Sequence, residues 1–235
     1  MWAVVVAAGS GTRLGAGGPK AFVEAAGRRL VDWALDGAVR NADRVVVVVP
    51  AGAPTSDAGG VLEGADVVVA GADSRSGSVR CGIGAIPDAG DDDVVVIHDA
   101  ARPLASDALY AGVVAAVVAG ADGAVPGVPV ADTLKRVDGD GAVLVTVERD
   151  GLVAVQTPQA FRLGVLRRAH AAAPEASDDA GLVEAAGGRV VVVPGDARNR
   201  KVTTPDDLAV VAALLAAAAP PAEPAAGERP LGAGS

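Results

Sequence analysis

Short, valine-rich runs alternate with longer segments of helical periodicity along this chain, and few folds accommodate that rhythm. Five consecutive valines at positions 45–49 show no alternation of apolar and polar residues, which is typical of a strand buried on both faces. Seven such runs are predicted to be strands: Trp2–Val6, Arg44–Val49, Asp66–Ala70, Val94–His98, Gly123–Pro129, Leu152–Gln156 and Arg189–Val193.

Six segments with helical periodicity lie between or after these runs. They are Leu30–Asn41, Ser74–Ile86, Ser106–Ala119, Arg162–Ala173, Asp178–Ala186 and Pro205–Ala218. Alternating strands and helices predict one α/β domain over residues 1–218, with a mainly parallel sheet flanked by helices. Ligands of such sheets bind beyond the carboxyl ends of the strands. Residues 219–235 are rich in Pro, Ala and Gly without periodicity, so they are predicted to be a disordered tail.

One segment, about residues 132–148, departs from this rhythm. Two extended patterns, Asp132–Val137 and Ala142–Glu148, flank the sequence Asp-Gly-Asp-Gly at 138–141, which strongly favours a β-hairpin. An isolated two-stranded hairpin is only marginally stable in water. We therefore expect it to pack on its own domain or on a second subunit, and the residues alone leave both alternatives open.

A glycine-rich loop, residues 7–20, follows the first predicted strand and carries Arg13 and Lys20. Glycine lets backbone N–H groups approach an anion, and two fixed cations can hold phosphate oxygens. The loop is not a Walker loop, because Ala21 stands where Ser or Thr would follow the lysine. A dinucleotide fingerprint is opposed by the second strand, which ends at Val49 without an acidic residue. The loop indicates a nucleotide triphosphate in a different architecture; the alternative is a flexible surface turn.

Composition excludes several other classes of protein. The net charge of −9 argues against nucleic-acid or anionic-membrane partners, and we expect neither. Aromatic residues make up only 2% of the chain, so a bound base would be held by backbone and small side chains. The single cysteine, Cys81, and two histidines exclude a disulfide framework and disfavour a protein-bound zinc. No signal peptide is apparent, and the apolar stretch Leu208–Ala219 is too short to span a bilayer, so we expect a cytoplasmic protein.

Six short blocks lie in order along nearly the whole chain. They are Ala7-Ala8-Gly9-Ser10-Gly11-Thr12-Arg13 with Pro19-Lys20, Gly71-Ala72-Asp73-Ser74-Arg75 with Ser78-Val79, His98-Asp99-Ala100-Ala101-Arg102-Pro103, Asp132-Thr133-Leu134-Lys135, Gln156-Thr157-Pro158-Gln159 and Asn199-Arg200-Lys201-Val202-Thr203. Together they resemble the 2-C-methyl-D-erythritol 4-phosphate cytidylyltransferase family of the non-mevalonate isoprenoid pathway. One block would be a weak match, whereas six in the family's order are specific.

The resemblance implies a Rossmann-like nucleotidyltransferase fold and a reaction between CTP and methylerythritol phosphate, with Mg²⁺ held mainly by phosphates and water. Such a reaction needs in-line positioning and cations rather than a Ser–His–Asp set. The implied catalytic residues are Arg13 and Lys20 on the triphosphate, and Lys201 against the α-phosphate and the substrate phosphate. Considered alone, Lys201 would be a solvated lysine before a helix that begins at Pro205.

The resemblance also implies two sets of binding residues and an assembly. The nucleotide would be bound by Ala7, Ala8, Gly9, Gly11, Gly71, Asp73 and Ser78. The sugar phosphate would be bound by Asp99, Arg102, Thr133, Arg149, Thr157 and Lys201. The implied assembly is a homodimer in which the hairpin, bracketed by Thr133 and Arg149, reaches the partner's active site. Considered alone, Asp73 and Ser74 would cap a helix, and Asp99 with Arg102 would be a buried pair bracing a turn.

Three alternative functions remain at this point. A relative acting on another polyol phosphate, such as ribitol 5-phosphate, would differ in the residues that bind the sugar phosphate. A non-catalytic nucleotide-binding module would not require Arg13, Lys20 and Lys201 together. A Rossmann NAD-binding domain is opposed by the missing acidic residue at the end of the second strand.

Overall fold

Eight strands form one central sheet, and six of them run parallel to one another. The computed structural model describes residues 1–9, 11, 14–15, 18–51, 62–172 and 175–218. The predicted catalytic residue Arg13 and the predicted tail at 219–235 lie outside the described residues. None of the helices in the described ranges has the length and apolarity that a bilayer crossing requires.

The elements follow the predicted alternation closely. In chain order they are β1 (Trp2–Val6), a 3-10 turn (Lys20–Phe22), β2 (Glu24–Ala25), β3 (Arg28–Arg29), α1 (Leu30–Asn41), β4 (Arg44–Val49), β5 (Val67–Ala70), α2 (Arg75–Gly84), β6 (Val94–Asp99), α3 (Asp107–Val118), β7 (Gly123–Pro129), β8 (Leu134–Val137), β9 (Val143–Val147), β10 (Val153–Val155), β11 (Gln159–Arg162), α4 (Leu163–His170), α5 (Asp179–Ala185), β12 (Val190–Pro194) and α6 (Pro205–Ala218).

The sheet places the ends of strands that are distant in sequence next to one another. The parallel strands β6, β1, β4 and β5 are adjacent in that order, and β12 pairs in parallel with β7 in the other half of the sheet. Strand β11 lies between β7 and β6 and runs antiparallel to both, while β10 pairs antiparallel with the end of β7. The start of β11 therefore lies at the same edge as the carboxyl end of β6.

The strand β11 was not expected from the sequence. A single strand was predicted at Leu152–Gln156 and a helix from Arg162, whereas the structure has two short strands, separated by a cis peptide bond before Pro158. Proline within an extended run argues against a central strand, which explains the missed element. The helix α4 begins at Leu163, directly after β11.

Alternate residues of the central strands pack against helices on opposite faces of the sheet. On β1, Ala3 and Val5 belong to the cluster that includes α1 and α3, whereas Trp2 and Val4 belong to the cluster that includes α2, α4 and α5. The prediction that every valine run is buried on both faces holds for β1 and β4. It is wrong for β5 and β12, which lie at the sheet edges and are largely half-exposed.

The predicted hairpin is present as a separate sheet of two antiparallel strands, β8 and β9. Its turn is stabilised by Asp138, whose Oδ1 accepts hydrogen bonds from the N–H groups of Asp140 at 3.0 Å and Ala142 at 2.9 Å. Residues 131–146 are all exposed, and they include apolar side chains such as Val143 and Leu144. The hairpin thus contributes little to the core of its own chain.

The close packing of α2 on the sheet generates a stability prediction. A Cβ at Gly82 would lie 2.5 Å from Cγ1 of Val4 and 2.9 Å from Cγ2 of Val48. We expect Gly82→Ala to lower the free energy of unfolding by about 1–3 kcal/mol, because overpacking forces backbone or side-chain shifts. Urea unfolding measures the change.

Gly84→Ala, on the same helix, is the matched control, since nothing lies within 4 Å of its added Cβ. It is expected to be neutral or to stabilise the helix by up to about 1 kcal/mol. Equal losses in the two variants would show that close packing against β1 and β4 is not the cause.

Candidate active site

The carboxyl ends of β1 and β6 and the start of β11 meet at one edge of the sheet. The register pairs Val6 with Asp99 across β1 and β6, and Ile97 with Gln159 across β6 and β11. The backbone N–H of Val202 donates to the carbonyl oxygen of Ala101 at 2.8 Å, which ties the segment before α6 to the same edge. Residues from the first, third, fifth and sixth blocks of the sequence are thereby brought together.

Two adjoining cavities open at this edge. The first, about 270 Å³, is lined by Val6, Ala7, Gly9, Lys20, Ala21, Arg75, Asp99, Ala101 and Lys201. The second, about 220 Å³, is lined by Arg75, Asp99, Arg102, Val155, Gln156, Thr157, Gln159, Ser177, Asp178 and Lys201. Three charged residues, Arg75, Asp99 and Lys201, line both cavities and form the junction between them.

Asp99 is held between two cations at this junction. Nζ of Lys201 donates to its Oδ2 at 2.6 Å, and Nε of Arg75 donates to its Oδ1 at 3.2 Å. Burial alone would raise the pKa of Asp99, but the charges of Arg75 and Lys201 outweigh burial and hold that pKa below its ordinary value. The carboxylate is therefore ionised at neutral pH. Lys201 is not the solvated lysine that its sequence position alone would suggest.

Arg102 does not form the predicted alternative pair with Asp99. Its guanidinium donates from Nη1 to the carbonyl oxygen of Asn199 at 2.8 Å and from Nη2 to that of Val155 at 3.3 Å. Its buried Nε has no hydrogen-bond partner among the described residues. Arg102 is thus fixed by backbone carbonyl groups at the wall of the second cavity.

Thr157 is positioned by a short series of hydrogen bonds around the end of β6. Its Oγ1 accepts from the backbone N–H of Asp99 at 3.0 Å and lies 3.1 Å from Nδ1 of His98, while Nε2 of His98 lies 3.1 Å from the carbonyl oxygen of Arg102. Because a carbonyl oxygen only accepts, we assign the imidazole proton to Nε2, and the threonine hydroxyl donates to Nδ1. Burial lowers the pKa of His98 to about 4, so the ring is neutral at pH 7.

One predicted nucleotide residue, Gly71, is tightly packed against its neighbours. An added Cβ at Gly71 would lie 2.6 Å from Cβ of Ala8 and 2.7 Å from Oγ of Ser78, so only glycine fits there. Oγ of Ser78 also lies 3.1 Å from both the backbone nitrogen and the carbonyl oxygen of Ala72. The loop that follows β5 is therefore held against the residues that follow β1.

Gly11 and Asp73 complete the described part of the predicted nucleotide set. Gly11 has a φ of +71°, and an added Cβ would lie 2.7 Å from Cβ of Lys20. Asp73 is exposed, and Ser74 rather than Asp73 caps α2, accepting from the N–H of Gly77 at 3.0 Å. The carboxylate of Asp73 is therefore available to a ligand.

Two predicted sugar-phosphate residues lie elsewhere. Thr133 and Arg149 line neither of the two cavities. Arg149 instead donates to the carbonyl oxygen of Ala131 and lines a separate exposed cavity of about 520 Å³ beside the hairpin. Within one chain, the structure does not bring these two residues to the junction at Asp99.

The sequence over residues 1–217 matches the family model described as IspD, 2-C-methyl-D-erythritol 4-phosphate cytidylyltransferase. The chain belongs to this family. A cytidylyltransferase of the same name from Rhodococcus opacus (strain B4) is 49% identical over 191 residues, which cover 80% of this chain and 83% of that protein.

Two further cytidylyltransferase relatives extend the comparison. The bifunctional enzyme IspD/IspF of Clavibacter michiganensis subsp. michiganensis (strain NCPPB 382) is 49% identical over 196 residues, which cover 80% of this chain and 47% of that enzyme. The crystal structure of 2-C-methyl-D-erythritol 4-phosphate cytidylyltransferase from Thermus thermophilus has a TM-score of 0.75 at 39% identity, covering 91% of this chain and 98% of that one. The α/β nucleotidyltransferase fold is thereby confirmed.

Two residues at this candidate site have no role predicted from the sequence. Arg75 lies in the second of the six blocks, and it lines both cavities. Asn199 is fully buried and donates from Nδ2 to the carbonyl oxygen of Thr157 at 2.8 Å, which fixes the start of β11. Only their positions in the sequence point to these two residues: Arg75 lies in the same block as Asp73, and Asn199 lies in the same block as Lys201.

The neutral state of His98 predicts a pH dependence of stability. The pKa of His98 is about 4 in the folded chain and about 6.5 in the unfolded one, so only the unfolded chain is protonated between these values. Stability is therefore lost as the pH falls through this window. We expect a decrease of roughly 2 kcal/mol in the free energy of unfolding from pH 7 to pH 5 through this group, measured by urea denaturation.

The matched variant is His98→Gln, which keeps a donor for the carbonyl oxygen of Arg102 but does not titrate. Its free energy of unfolding should change less than that of the wild type between pH 7 and pH 5. If both proteins lost the same amount, another group would be responsible.

Proposed function

We propose that this chain transfers a cytidylyl group from CTP to 2-C-methyl-D-erythritol 4-phosphate at the junction of the two cavities. An oxygen of the sugar phosphate forms a bond to the α-phosphorus of CTP, and the bond from that phosphorus to the β-phosphate oxygen breaks. The products are 4-diphosphocytidyl-2-C-methyl-D-erythritol and pyrophosphate. The observation that carries this proposal is the joining of the two cavities at Lys201, where two phosphates can meet beside one cation.

The cations of the first cavity are proposed to bind the triphosphate. Lys20 lines this cavity together with Gly9, whose carbonyl oxygen accepts from the N–H of Lys20 at 3.3 Å. Arg13, which lies outside the described residues, is proposed to act on the same phosphates. Both cations would stabilise the charge that builds on the α-phosphate and on the leaving pyrophosphate.

The second cavity is proposed to hold the methylerythritol phosphate. Its walls offer the hydroxyl of Thr157, the guanidinium of Arg102 and the carboxylate of Asp99. A carboxylate accepts hydrogen bonds from substrate hydroxyl groups, and a guanidinium binds a phosphate. Lys201 at the junction would orient the attacking phosphate towards the α-phosphorus.

The base of CTP is proposed to lie against the backbone of the loop that follows β1 and the loop that follows β5. The residues involved are Ala7, Ala8, Gly9, Gly11, Gly71, Asp73 and Ser78. Support comes from the close approach at Gly71, where Ala8 and Ser78 leave no room for a side chain. A carboxylate or carbonyl oxygen can accept from the amino group of cytosine, which uracil lacks.

Mg²⁺ is proposed to be held by phosphate oxygens and water. Both oxygens of Asp99 already accept from Lys201 and Arg75, so this carboxylate is not a free metal ligand. Among the described residues, no cluster of three or more His, Cys, Asp or Glu side chains is arranged to hold a metal. Magnesium commonly keeps several waters and binds substrate phosphates, where it neutralises their charge.

A homodimer formed through the hairpin is proposed to complete each active site. The hairpin exposes Leu134, Val137, Val143, Leu144 and Val145, and the nearby strand β10 exposes Val153 and Val155. Exposed apolar side chains gathered on one segment are typical of an interface. Since Thr133 and Arg149 line neither of the two cavities at Asp99 in their own chain, they would bind the sugar phosphate in the partner's site.

Pyrophosphate release tests the proposed reaction. With CTP and Mg²⁺, the wild-type protein is expected to release pyrophosphate with 2-C-methyl-D-erythritol 4-phosphate and far more slowly with ribitol 5-phosphate. A coupled phosphate assay after pyrophosphatase treatment measures both rates. Release with ribitol 5-phosphate alone would contradict the assigned substrate, and release with neither would contradict the proposed reaction.

Subunit mixing tests the shared site. Arg149→Ala and Lys201→Ala are each expected to be nearly inactive as homodimers. Random co-assembly makes half of the dimers mixed, each with one intact site, so activity should recover to about a quarter of the wild-type value. Co-expression of equal amounts of the two variants, followed by the pyrophosphate assay on the unseparated dimers, measures this recovery.

Arg136→Ala is the control on the same hairpin, because Arg136 is exposed on β8 and lines none of the three cavities described here. Its activity should remain close to that of the wild type. Absence of recovery in the mixed Arg149 and Lys201 dimers would indicate that both residues act within one chain.

A further inference from the structure

A continuous series of ionisable side chains runs from the active site into the protein interior. Beyond Lys201 and Asp99, Nη1 of Arg75 donates to Oδ2 of Asp179 at 2.9 Å, and Nε2 of His170 lies 3.0 Å from Oδ1 of Asp179. Asp179 begins α5, His170 ends α4, and Arg75 begins α2. Three helices and the end of β6 are therefore joined through two carboxylates.

The inner end of this series is fully removed from solvent. The side chain of Asp179 is 0% exposed and that of His170 is 2% exposed, whereas that of Arg75 is 22% exposed and that of Lys201 is 39% exposed. Burying an ion pair costs desolvation that the attraction between the charges rarely exceeds, so it is weak support for a role in stability. A role in holding one exposed group in place explains the arrangement better.

One nitrogen of the Arg75 guanidinium makes no hydrogen bond with the described residues. Nε and Nη1 each donate to one carboxylate, while Nη2 has no hydrogen-bond partner in the described part of the chain. The same residue lines both cavities at their junction. A planar guanidinium fixed on two of its nitrogens presents the third in one direction, which suits recognition of an oxyanion.

We infer that Arg75 is a catalytic residue of the proposed cytidylyl transfer, and that Asp179, held by His170, is its positioning residue. The Nη2 group donates to a non-bridging phosphate oxygen where the sugar phosphate meets the α-phosphate. Arg75 takes part in no covalent step; it balances charge that increases as the new oxygen–phosphorus bond forms. This inference rests on the proposed function.

His170 supports this arrangement from the far side. Its Nδ1 is buried without a hydrogen-bond partner among the described residues, so its single polar contact there is with Asp179. We assign the ring proton to Nε2, which then donates to the carboxylate. The side chain of Asp179 is thereby fixed from one side while it fixes Arg75 from the other.

Two substitutions test the role of Arg75, with activity measured by pyrophosphate release. Arg75→Gln is expected to lower kcat by about 100-fold, the scale of losing one donor to a developing oxyanion, with KM for CTP changed much less. Arg75→Lys keeps the positive charge but loses the planar set of N–H donors. Its kcat should therefore lie between that of Arg75→Gln and that of the wild type, and well below the latter. Thermal unfolding checks that each variant is folded.

Arg80→Gln is the matched control for these variants. Arg80 lies on the same helix and pairs with Glu175 at 3.0 Å, but it lines neither cavity. Its kcat is expected to stay within about twofold of the wild type, as for surface changes away from a site. If the wild type and Arg80→Gln are active and the Arg75 variants are fully active as well, this inference alone is overturned. An inactive wild type would overturn the proposed function, and this inference with it.

A double substitution tests the positioning role of Asp179. If Asp179 acts only through Arg75, then Arg75→Gln with Asp179→Asn should have the same kcat as Arg75→Gln alone, and Asp179→Asn by itself should lower kcat. The double variant also removes both charges of the buried pair, so no lone charge remains in the interior. Multiplicative losses in the double variant would overturn the positioning role.

Discussion

The carboxylate of Asp99 is the point on which the arrangement of this site depends. It stands at the end of β6 and receives Lys201 from the segment before α6 and Arg75 from the start of α2. The two cations are more than a hundred positions apart in the chain. Because a buried carboxylate without cations would be strongly unfavourable, and the two cations would repel each other without it, the three side chains fix one another. The two adjoining cavities consequently share one wall.

The antiparallel strand β11 brings the second half of the chain to this point. A purely parallel sheet would place at its carboxyl edge only residues that follow strands. Here Gln156 and Thr157 precede β11, and they reach the same edge because β11 runs the opposite way. Asn199 and Gln156 then bond to each other and to the backbone, joining the segment before α6 to the start of β11. The inserted strand therefore supplies one wall of the second cavity.

Sequence patterns were sufficient for the elements whose signal is local. The valine runs predicted β1 and β4, and the turn residues at 138–141 predicted the hairpin, because burial and turn geometry depend on neighbouring residues. The strand β11 was not predicted, because Pro158 directly precedes it and proline argues against a central strand. The contacts of Arg75 with Asp99 and Asp179 could not be predicted from spacing, since separations of 24 and 104 positions carry no periodicity. Motif resemblance located most of the candidate residues, but only the packed structure gives their partners.

An acidic protein that binds polyanions must concentrate its positive charge. The net charge is −9, yet Lys20, Arg75, Arg102 and Lys201 line two small adjoining cavities. Asp99 keeps two of these cations oriented in the absence of substrate, so that little reorganisation is required when phosphate oxygens arrive. Donors fixed in advance in a partly dry site stabilise developing charge more than mobile donors in water. The carboxylate of Asp99 thus lowers the net positive charge of the pocket. It also holds the side chains of Arg75 and Lys201 where the two phosphates are proposed to meet.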